Sequence, residues 1–159
     1  MDENVTSGPL IDEYSLTKVK DHVQNAVNTG AKIAVGGDMH QLGGNFYQPT
    51  VLYNVTSKAK ITYQETFGPV APIYKFSSDE EVINMANDTE YGLASYFYSR
   101  DIGRIWRVAE ELEYGIVGVN TGLPSKAEIP FGGMKQSGLG REGSKYGLDD
   151  FLEIKYINM

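Results

Sequence analysis

Leu93-Ala94-Ser95-Tyr96-Phe97-Tyr98 and Ile116-Val117-Gly118-Val119 flank an amphipathic segment that begins at Asp101. The first run is rich in residues that suit a pleated surface. The second is short and nearly all apolar, the pattern of a strand buried on both faces. Between them Ile102, Ile105, Val108, Ala109 and Leu112 recur at helical spacing, with Asp101 as N-cap and Gly115 as terminator. Upstream, Val70-Ala71-Pro72-Ile73-Tyr74-Lys75-Phe76 is a further strand candidate, which Pro72 confines to an edge, a bulge or an irregular stretch. It is followed by Ser78-Asp79-Glu80-Glu81, a capping box, opening a helix that turns Val82, Ile83 and Ala86 inward. Strand, helix, strand, helix, strand over residues 70 to 119 is a βαβ pattern, and the fold class is therefore α/β.

Working outward, residues 12 to 28 read as an amphipathic helix with Leu16, Val19, Val23, Ala26 and Val27 on one face. Asp12 or Ser15 caps its start and Gly30 closes it in the left-handed conformation. Lys32-Ile33-Ala34-Val35 and Thr50-Val51-Leu52-Tyr53 are strand candidates. Residues 120 to 143 form a glycine-punctuated loop, long enough to suggest function, whose aromatic and aliphatic residues argue for order. A helical turn around residues 144 to 149 follows. Phe151-Leu152-Glu153-Ile154-Lys155-Tyr156-Ile157 then alternates with period two, the pattern of a half-buried strand.

The chain has 159 residues and a net charge of −7, which points to one ordinary domain and away from nucleic acid or an anionic membrane surface. It has no cysteine, which excludes disulfides, thiolate zinc sites and a cysteine nucleophile within it, and fits a cytoplasmic protein. No apolar run approaches the roughly 20 residues of a membrane helix. The acidic, polar start, Met1-Asp2-Glu3-Asn4, reads as neither signal nor transit peptide and looks like an arbitrary beginning.

Gly138-Leu139-Gly140-Arg141-Glu142-Gly143 matches the G-x-G-x-x-G dinucleotide fingerprint in letters only. The fingerprint needs a strand before it, a long helix after it and an acidic residue about 20 positions on. A loop precedes this run, and too little chain follows, so its glycines read as backbone requirements. His22 and His40 have no metal-ligand spacing; His22 is expected on the polar side of its helix and His40 in a loop. No G-x-S-x-G elbow supports a serine hydrolase, and no pair of carboxylates is singled out for hydrolysis. Tyr47, Tyr53, Tyr96, Phe97 and Tyr98 read as packing residues, because no basic residues interleave with them. On these grounds alone Glu65 is an ordinary carboxylate, and Phe67 an ordinary core aromatic, at a Gly-Pro turn.

The order of several segments carries a resemblance. Gly8-Pro9-Leu10-Ile11-Asp12 followed by a helix, Glu65-Thr66-Phe67-Gly68-Pro69-Val70, and Asn87-Asp88-Thr89-Glu90-Tyr91-Gly92-Leu93-Ala94 resemble successive stretches of the aldehyde dehydrogenases. So do Pro130-Phe131-Gly132-Gly133 and Ser137-Gly138-Leu139-Gly140-Arg141-Glu142-Gly143. Within that superfamily, Trp106 to Glu110, Glu113-Tyr114-Gly115, Asn120-Thr121-Gly122-Leu123 and Gly143-Ser144-Lys145-Tyr146-Gly147 are most similar to the succinate-semialdehyde type. Pro124-Ser125-Lys126-Ala127-Glu128-Ile129 departs from that subfamily's wording where substrate is chosen.

The resemblance implies the C-terminal portion of an aldehyde dehydrogenase catalytic domain, with βαβ units in a mostly parallel sheet, over residues 1–148. Residues 149–159 would be an oligomerisation tail, whose strand at 151–157 pairs copies into a homo-oligomer. The dinucleotide-binding domain would lie outside this chain. In the family a thiolate attacks the aldehyde, a hydride passes to NAD or NADP, and a glutamate activates the hydrolytic water. By position, Glu65 resembles the residue that bonds the nicotinamide ribose and Phe67 the aromatic beside the nicotinamide. Phe131 resembles a wall of the aldehyde tunnel. Ser125 resembles a serine that bonds the distal carboxylate of succinate semialdehyde. The implied catalytic cysteine and general-base glutamate have no counterpart here, so the chain alone is expected to bind NAD(P) weakly and to oxidise nothing. The alternative is a free-standing, non-catalytic binding or assembly module.

Overall fold

The computed structural model describes residues 5–159; the acidic start, Met1–Asn4, lies outside them. The chain divides into two compact units, one through Lys75 and one from Phe76 onward.

The first unit is built on α1 (Glu13–Asn28). Its start is fixed as its chemistry requires: the Asp12 carboxylate accepts the Ser15 backbone N–H at 2.7 Å. That hydrogen bond also lowers the Asp12 pKa. Thr29 ends the helix, and Gly30 follows at φ +110°, a conformation open to glycine. Leu16, Val19, Val23 and Ala26 are buried, as their spacing predicts. Full burial of each Leu or Val contributes about 1.5–3 kcal/mol. They share a core with Leu52, Val55, Ala59 and Ile61.

Beside the helix lies a three-stranded sheet of β1 (Lys32–Val35), β2 (Thr50–Tyr53) and β3 (Val70–Pro72), in that order. β1 pairs antiparallel with β2, and β2 pairs parallel with β3. β3 is an edge strand, where Pro72, lacking an N–H, is tolerated. The strand expected through Phe76 stops at Pro72.

The second unit holds the pattern that decided the fold class. β5 (Ala94–Phe97) and β6 (Ile116–Val119) pair in parallel, from Ala94 opposite Ile116 to Phe97 opposite Val119. They are joined by α3 (Ile102–Glu111), whose first turn is capped by Asp101 accepting the Arg104 N–H at 3.0 Å. Gly118 is required by the register: a β-carbon there would stand 2.6 Å from the ring of Tyr96, its cross-strand partner. Before β5, α2 (Asp79–Asn87) opens with the Glu81 N–H donating to Ser78 Oγ. Glu81 returns its carboxylate to the N–H of Ser77, one residue before the position a capping box prescribes.

The expectation of a mostly parallel sheet is not met. Among the described residues the paired strands lie in three small sheets, and parallel and antiparallel pairings are equally frequent. β3 joins the first unit's sheet instead of continuing the βαβ series, so the series reduces to β5–α3–β6. β4 (Tyr91–Gly92) pairs antiparallel with β7 (Met134–Lys135), a strand within the stretch expected to be loop. That stretch is ordered by backbone pairing, as its apolar content suggested. Phe131 and Glu142 exchange N–H···O bonds at 2.8 and 2.7 Å, and Arg141 donates to the Gly133 and Gly140 carbonyls.

Two expectations at the surface are corrected. Ile102, on the inner face of α3 by its spacing, is exposed. The helix buries Val108, with Ile105, Ala109 and Leu112 half-buried, so its covered stripe does not reach the first turn. Periodicity identifies a face; it does not state how far the neighbouring layer extends. The terminal strand at residues 151–157 does not form. After the 3-10 helix Tyr146–Phe151 the chain carries no ladder, and Leu152, Ile154, Tyr156 and Ile157 are exposed. Alternation specifies a strand only where another strand offers its backbone, and none does so here.

Candidate functional site

Residues 64–68 lie outside every helix and strand, yet long-range contacts hold them. The Gln64 N–H donates to the Lys60 carbonyl at 2.8 Å, and the Pro69 carbonyl accepts from the Thr50 N–H at 2.7 Å. Between these anchors the side chains alternate. Gln64 and Thr66 turn to His22 on α1: His22 Nε2 lies 3.0 Å from Gln64 Oε1, and Nδ1 lies 2.6 Å from Thr66 Oγ1. With Nε2–H donating to the Gln64 carbonyl oxygen, Nδ1 is left to accept the Thr66 hydroxyl proton. Gly68 faces the same helix one turn earlier, where a β-carbon would stand 2.5 Å from Val19 Cγ2. Glu65 and Phe67, on the other phase of the alternation, are exposed, Phe67 by 76%. Phe67 is thus no core aromatic.

His22 was expected on a polar helix face, and this too is corrected. It is 1% exposed, the most deeply buried polar side chain described. The signal was present in the sequence. His22 stands three residues after Val19 and four before Ala26, at the rim of the apolar arc, where both ring nitrogens can reach partners outside the helix. His40 is exposed in a loop, as expected, and its Nδ1 accepts the Leu42 N–H. Among the described residues no cluster of His, Asp or Glu could hold a metal ion, and no helix is long and apolar enough to cross a membrane.

The second unit carries an open hollow of about 540 Å³ over β6. Its floor includes Ile116 and Gly118, and its wall comes from the following loop through Leu123, Pro124, Lys126 and Ile129. Ser125 is exposed and sits between two wall residues without lining the hollow itself. Phe131 is half-buried and adjoins the wall residue Pro130. Its backbone is pinned to Glu142, but its ring is not part of the lining. The hollow is therefore built by the neighbours of both residues.

Asn87 and Lys135 tie down the stretch that begins at Asn87. Asn87 donates to the Glu111 carbonyl and accepts the Glu113 N–H, at 2.8 and 2.9 Å. Lys135 Nζ caps the Asn87 and Thr89 carbonyls and pairs with Glu113 at 2.6 Å. One amide and one ammonium thereby join the ends of α2 and α3 to β7.

These interlocked segments agree with a family pattern over nearly the whole chain. Residues 1–157 match the model described as aldehyde dehydrogenase family. The chain belongs to the aldehyde dehydrogenase family. Among relatives of this aldehyde dehydrogenase chain, the 3-sulfolactaldehyde dehydrogenase of Pseudomonas putida is 57% identical over 157 residues, covering 99% of this chain and 32% of the relative. The succinate-semialdehyde dehydrogenase (NADP+) of Escherichia coli is also 57% identical, over 99% of this chain and 33% of the relative. The crystal structure of succinate-semialdehyde dehydrogenase from Burkholderia pseudomallei superposes with a TM-score of 0.95 at 56% identity, over 98% of this chain and 32% of that one. The chain thus spans about a third of the length of the relatives it matches. The relatives are semialdehyde and related aldehyde dehydrogenases, and the expected α/β class and family assignment hold.

In the segment at 64–68 two exposed side chains stand two residues apart. Glu65 offers a carboxylate with free accepting capacity, and Phe67 offers an open ring face two residues on. Both project from backbone held by residues that point the other way. A ribose cis-diol needs an acceptor for two hydroxyl protons, and a nicotinamide ring needs an apolar flank, so these residues fit that end of the dinucleotide.

Proposed function

We propose that this chain is the C-terminal portion of an NAD(P)-dependent aldehyde dehydrogenase that oxidises succinate semialdehyde or a related small aldehyde, in the cytoplasm. The observation that carries the reading is the exposure of Glu65 and Phe67, two residues apart on a segment pinned to α1. Family membership over residues 1–157 and semialdehyde-specific names among the relatives support it. Glu65 would accept the nicotinamide ribose hydroxyls, and Phe67 would offer the nicotinamide an apolar flank. When bound, NAD(P)+ supplies the acceptor for the hydride that leaves the aldehyde carbon.

In the second unit, Ser125 offers an exposed hydroxyl for the distal carboxylate of the substrate, and Lys126 lines the hollow beside it. Phe131 forms part of the aldehyde wall. The chain has no cysteine, and a carbonyl attack that needs a thiolate must draw it from elsewhere. By itself the chain binds NAD(P) weakly and turns over no aldehyde.

Two assays test the reading. The pure chain, given NAD(P)+ and succinate semialdehyde, should form no NAD(P)H; aldehyde-dependent formation would contradict its inactivity. The complete dehydrogenase should prefer short carboxylated aldehydes to uncharged ones of equal length. Equal kcat/KM for both would remove the role of Ser125 and leave a dehydrogenase of other specificity.

A second reading is favoured by one observation, the run of exposed apolar residues Phe151, Leu152, Ile154, Tyr156 and Ile157. Such a segment can add as a strand to another chain. It suits homo-oligomer contacts in the complete enzyme, or a non-catalytic assembly module that binds one. Co-purification of the chain with a complete dehydrogenase would favour the module.

A further inference from the structure

His22 is buried and bonded at both ring nitrogens, yet no step of aldehyde oxidation calls on it. Its two partners, Gln64 and Thr66, bracket Glu65, and Thr66 separates Glu65 from Phe67. Between the anchors at Gln64 and Pro69, the backbone N–H and C=O groups of Glu65, Thr66 and Phe67 make no hydrogen bond among the described residues. What holds this stretch is side-chain contact with α1: His22 at Gln64 and Thr66, and Val19 against Gly68. An imidazole suits the task because it is rigid and carries two ring nitrogens on different edges. One donates and one accepts, so two residues of one extended segment can be fixed in a single phase. Fixing that phase decides which way Glu65 and Phe67 point, since a one-residue slip in an extended segment turns every side chain over.

We infer that His22 is a positioning residue of the cofactor site, a latch on α1 that holds residues 64–68 so that Glu65 and Phe67 face the nicotinamide riboside. The inference rests on the proposed cofactor role of Glu65 and Phe67. The latch itself rests on the geometry of His22, Gln64 and Thr66. His22 touches neither cofactor nor substrate in this account; it acts through the segment.

The test is a mutant cycle in the complete dehydrogenase that carries this chain, with His22→Leu, Thr66→Val, Glu65→Gln and the double variants with Glu65→Gln. His22→Leu keeps an apolar side chain in the core and removes both bonds. Thr66→Val removes one bond from the segment's side and leaves α1 intact, so it decides the matter if His22→Leu does not fold. Each should lower kcat/KM for NAD(P)+ by roughly 10- to 100-fold, the scale on which a misplaced group loses its effect. The aldehyde KM should hold within about twofold. Added to Glu65→Gln, each should cost no more than about a further twofold, because both changes remove the same contact.

Wild-type cofactor kinetics in His22→Leu and Thr66→Val, or losses that multiply with that of Glu65→Gln, would overturn the latch and leave the cofactor site standing. If Glu65→Gln alone changes nothing, the cofactor reading fails, and the latch is decided by chymotryptic cleavage after Phe67. Cleavage roughly tenfold faster in His22→Leu or Thr66→Val than in wild type upholds it; an unchanged rate overturns it.

Discussion

Gly68 and Val19 meet where the 64–68 segment lies on α1: a β-carbon on Gly68 would approach Val19 Cγ2 to 2.5 Å, closer than packed carbons come. The glycine at this turn is there for helix contact, and its conformation is not left-handed. Gly68→Ala should destabilise the fold by about 1–3 kcal/mol, the usual cost of overpacking a filled contact. Val19→Ala in the same chain should recover part of that loss, since the clash is with one valine methyl. Chemical denaturation of the single and double variants reads both effects; additive losses would show that the two residues do not compete for one space.

Asp101 caps α3, and its pKa is lowered chiefly by the hydrogen bond from the Arg104 N–H. The sign follows from proton binding. A carboxylate with a depressed pKa in the folded chain contributes stability that is fully present above its ordinary value of 3.8 and is lost as pH falls through the folded value. Asp12 on α1 behaves likewise. Asp101→Asn keeps an acceptor for the Arg104 N–H but cannot titrate. Its stability should therefore fall less steeply than that of wild type on acidification below about pH 4. Thermal unfolding across that range is the measurement, and parallel acid limbs would contradict the assignment.

Ser95, in β5, has a buried hydroxyl oxygen with no hydrogen-bond partner among the described residues. A buried polar group without a partner is a net cost. Ser95→Ala should leave stability unchanged or raise it by up to about 1 kcal/mol, where most buried substitutions lower it. A loss larger than about 1 kcal/mol in equilibrium unfolding would mean that the hydroxyl is satisfied.

Much of this was legible in the sequence because it is local. The Asp12 and Asp101 caps, the α1 apolar stripe and the β5–α3–β6 crossover each depend on residues within one or two turns or on one continuous pattern. What escaped depends on partners far along the chain. Tyr91 and Gly92 pair with Lys135 and Met134 over too few residues to show a period. The strand expected at residues 151–157 had its alternation but no neighbour. His22 reads as a polar-face residue, although its place beside Val19 and Ala26 puts it at the core. Only the three-dimensional contact with Gln64 and Thr66 shows why a polar ring is stable there. Of the residues named for chemistry, Glu65 and Phe67 share one surface, whereas Ser125 and Phe131 stand beside the hollow over β6 without lining it.

The exposed tail should contribute little to the fold that carries it. Removing residues 153–159 should change the chain's unfolding free energy by less than about 0.5 kcal/mol, since no ladder is lost. The same deletion should abolish concentration-dependent self-association in sedimentation velocity. Wild-type chain that stays monomeric at high concentration would contradict an oligomerisation role for residues 151–157.

The most direct test of the account is transient-state hydride transfer by Glu65→Gln in the complete dehydrogenase, followed as NAD(P)H formation over a range of NAD(P)+ concentrations. Glutamine keeps the shape of the side chain but loses the charge and one of the two accepting oxygens offered to a ribose diol. The account predicts a fall of roughly tenfold or more in the hydride-transfer rate or in cofactor affinity, with the circular dichroism spectrum and melting temperature of the wild type. Wild-type rates and affinity would contradict it and remove Glu65, and the surface it shares with Phe67, from the cofactor site.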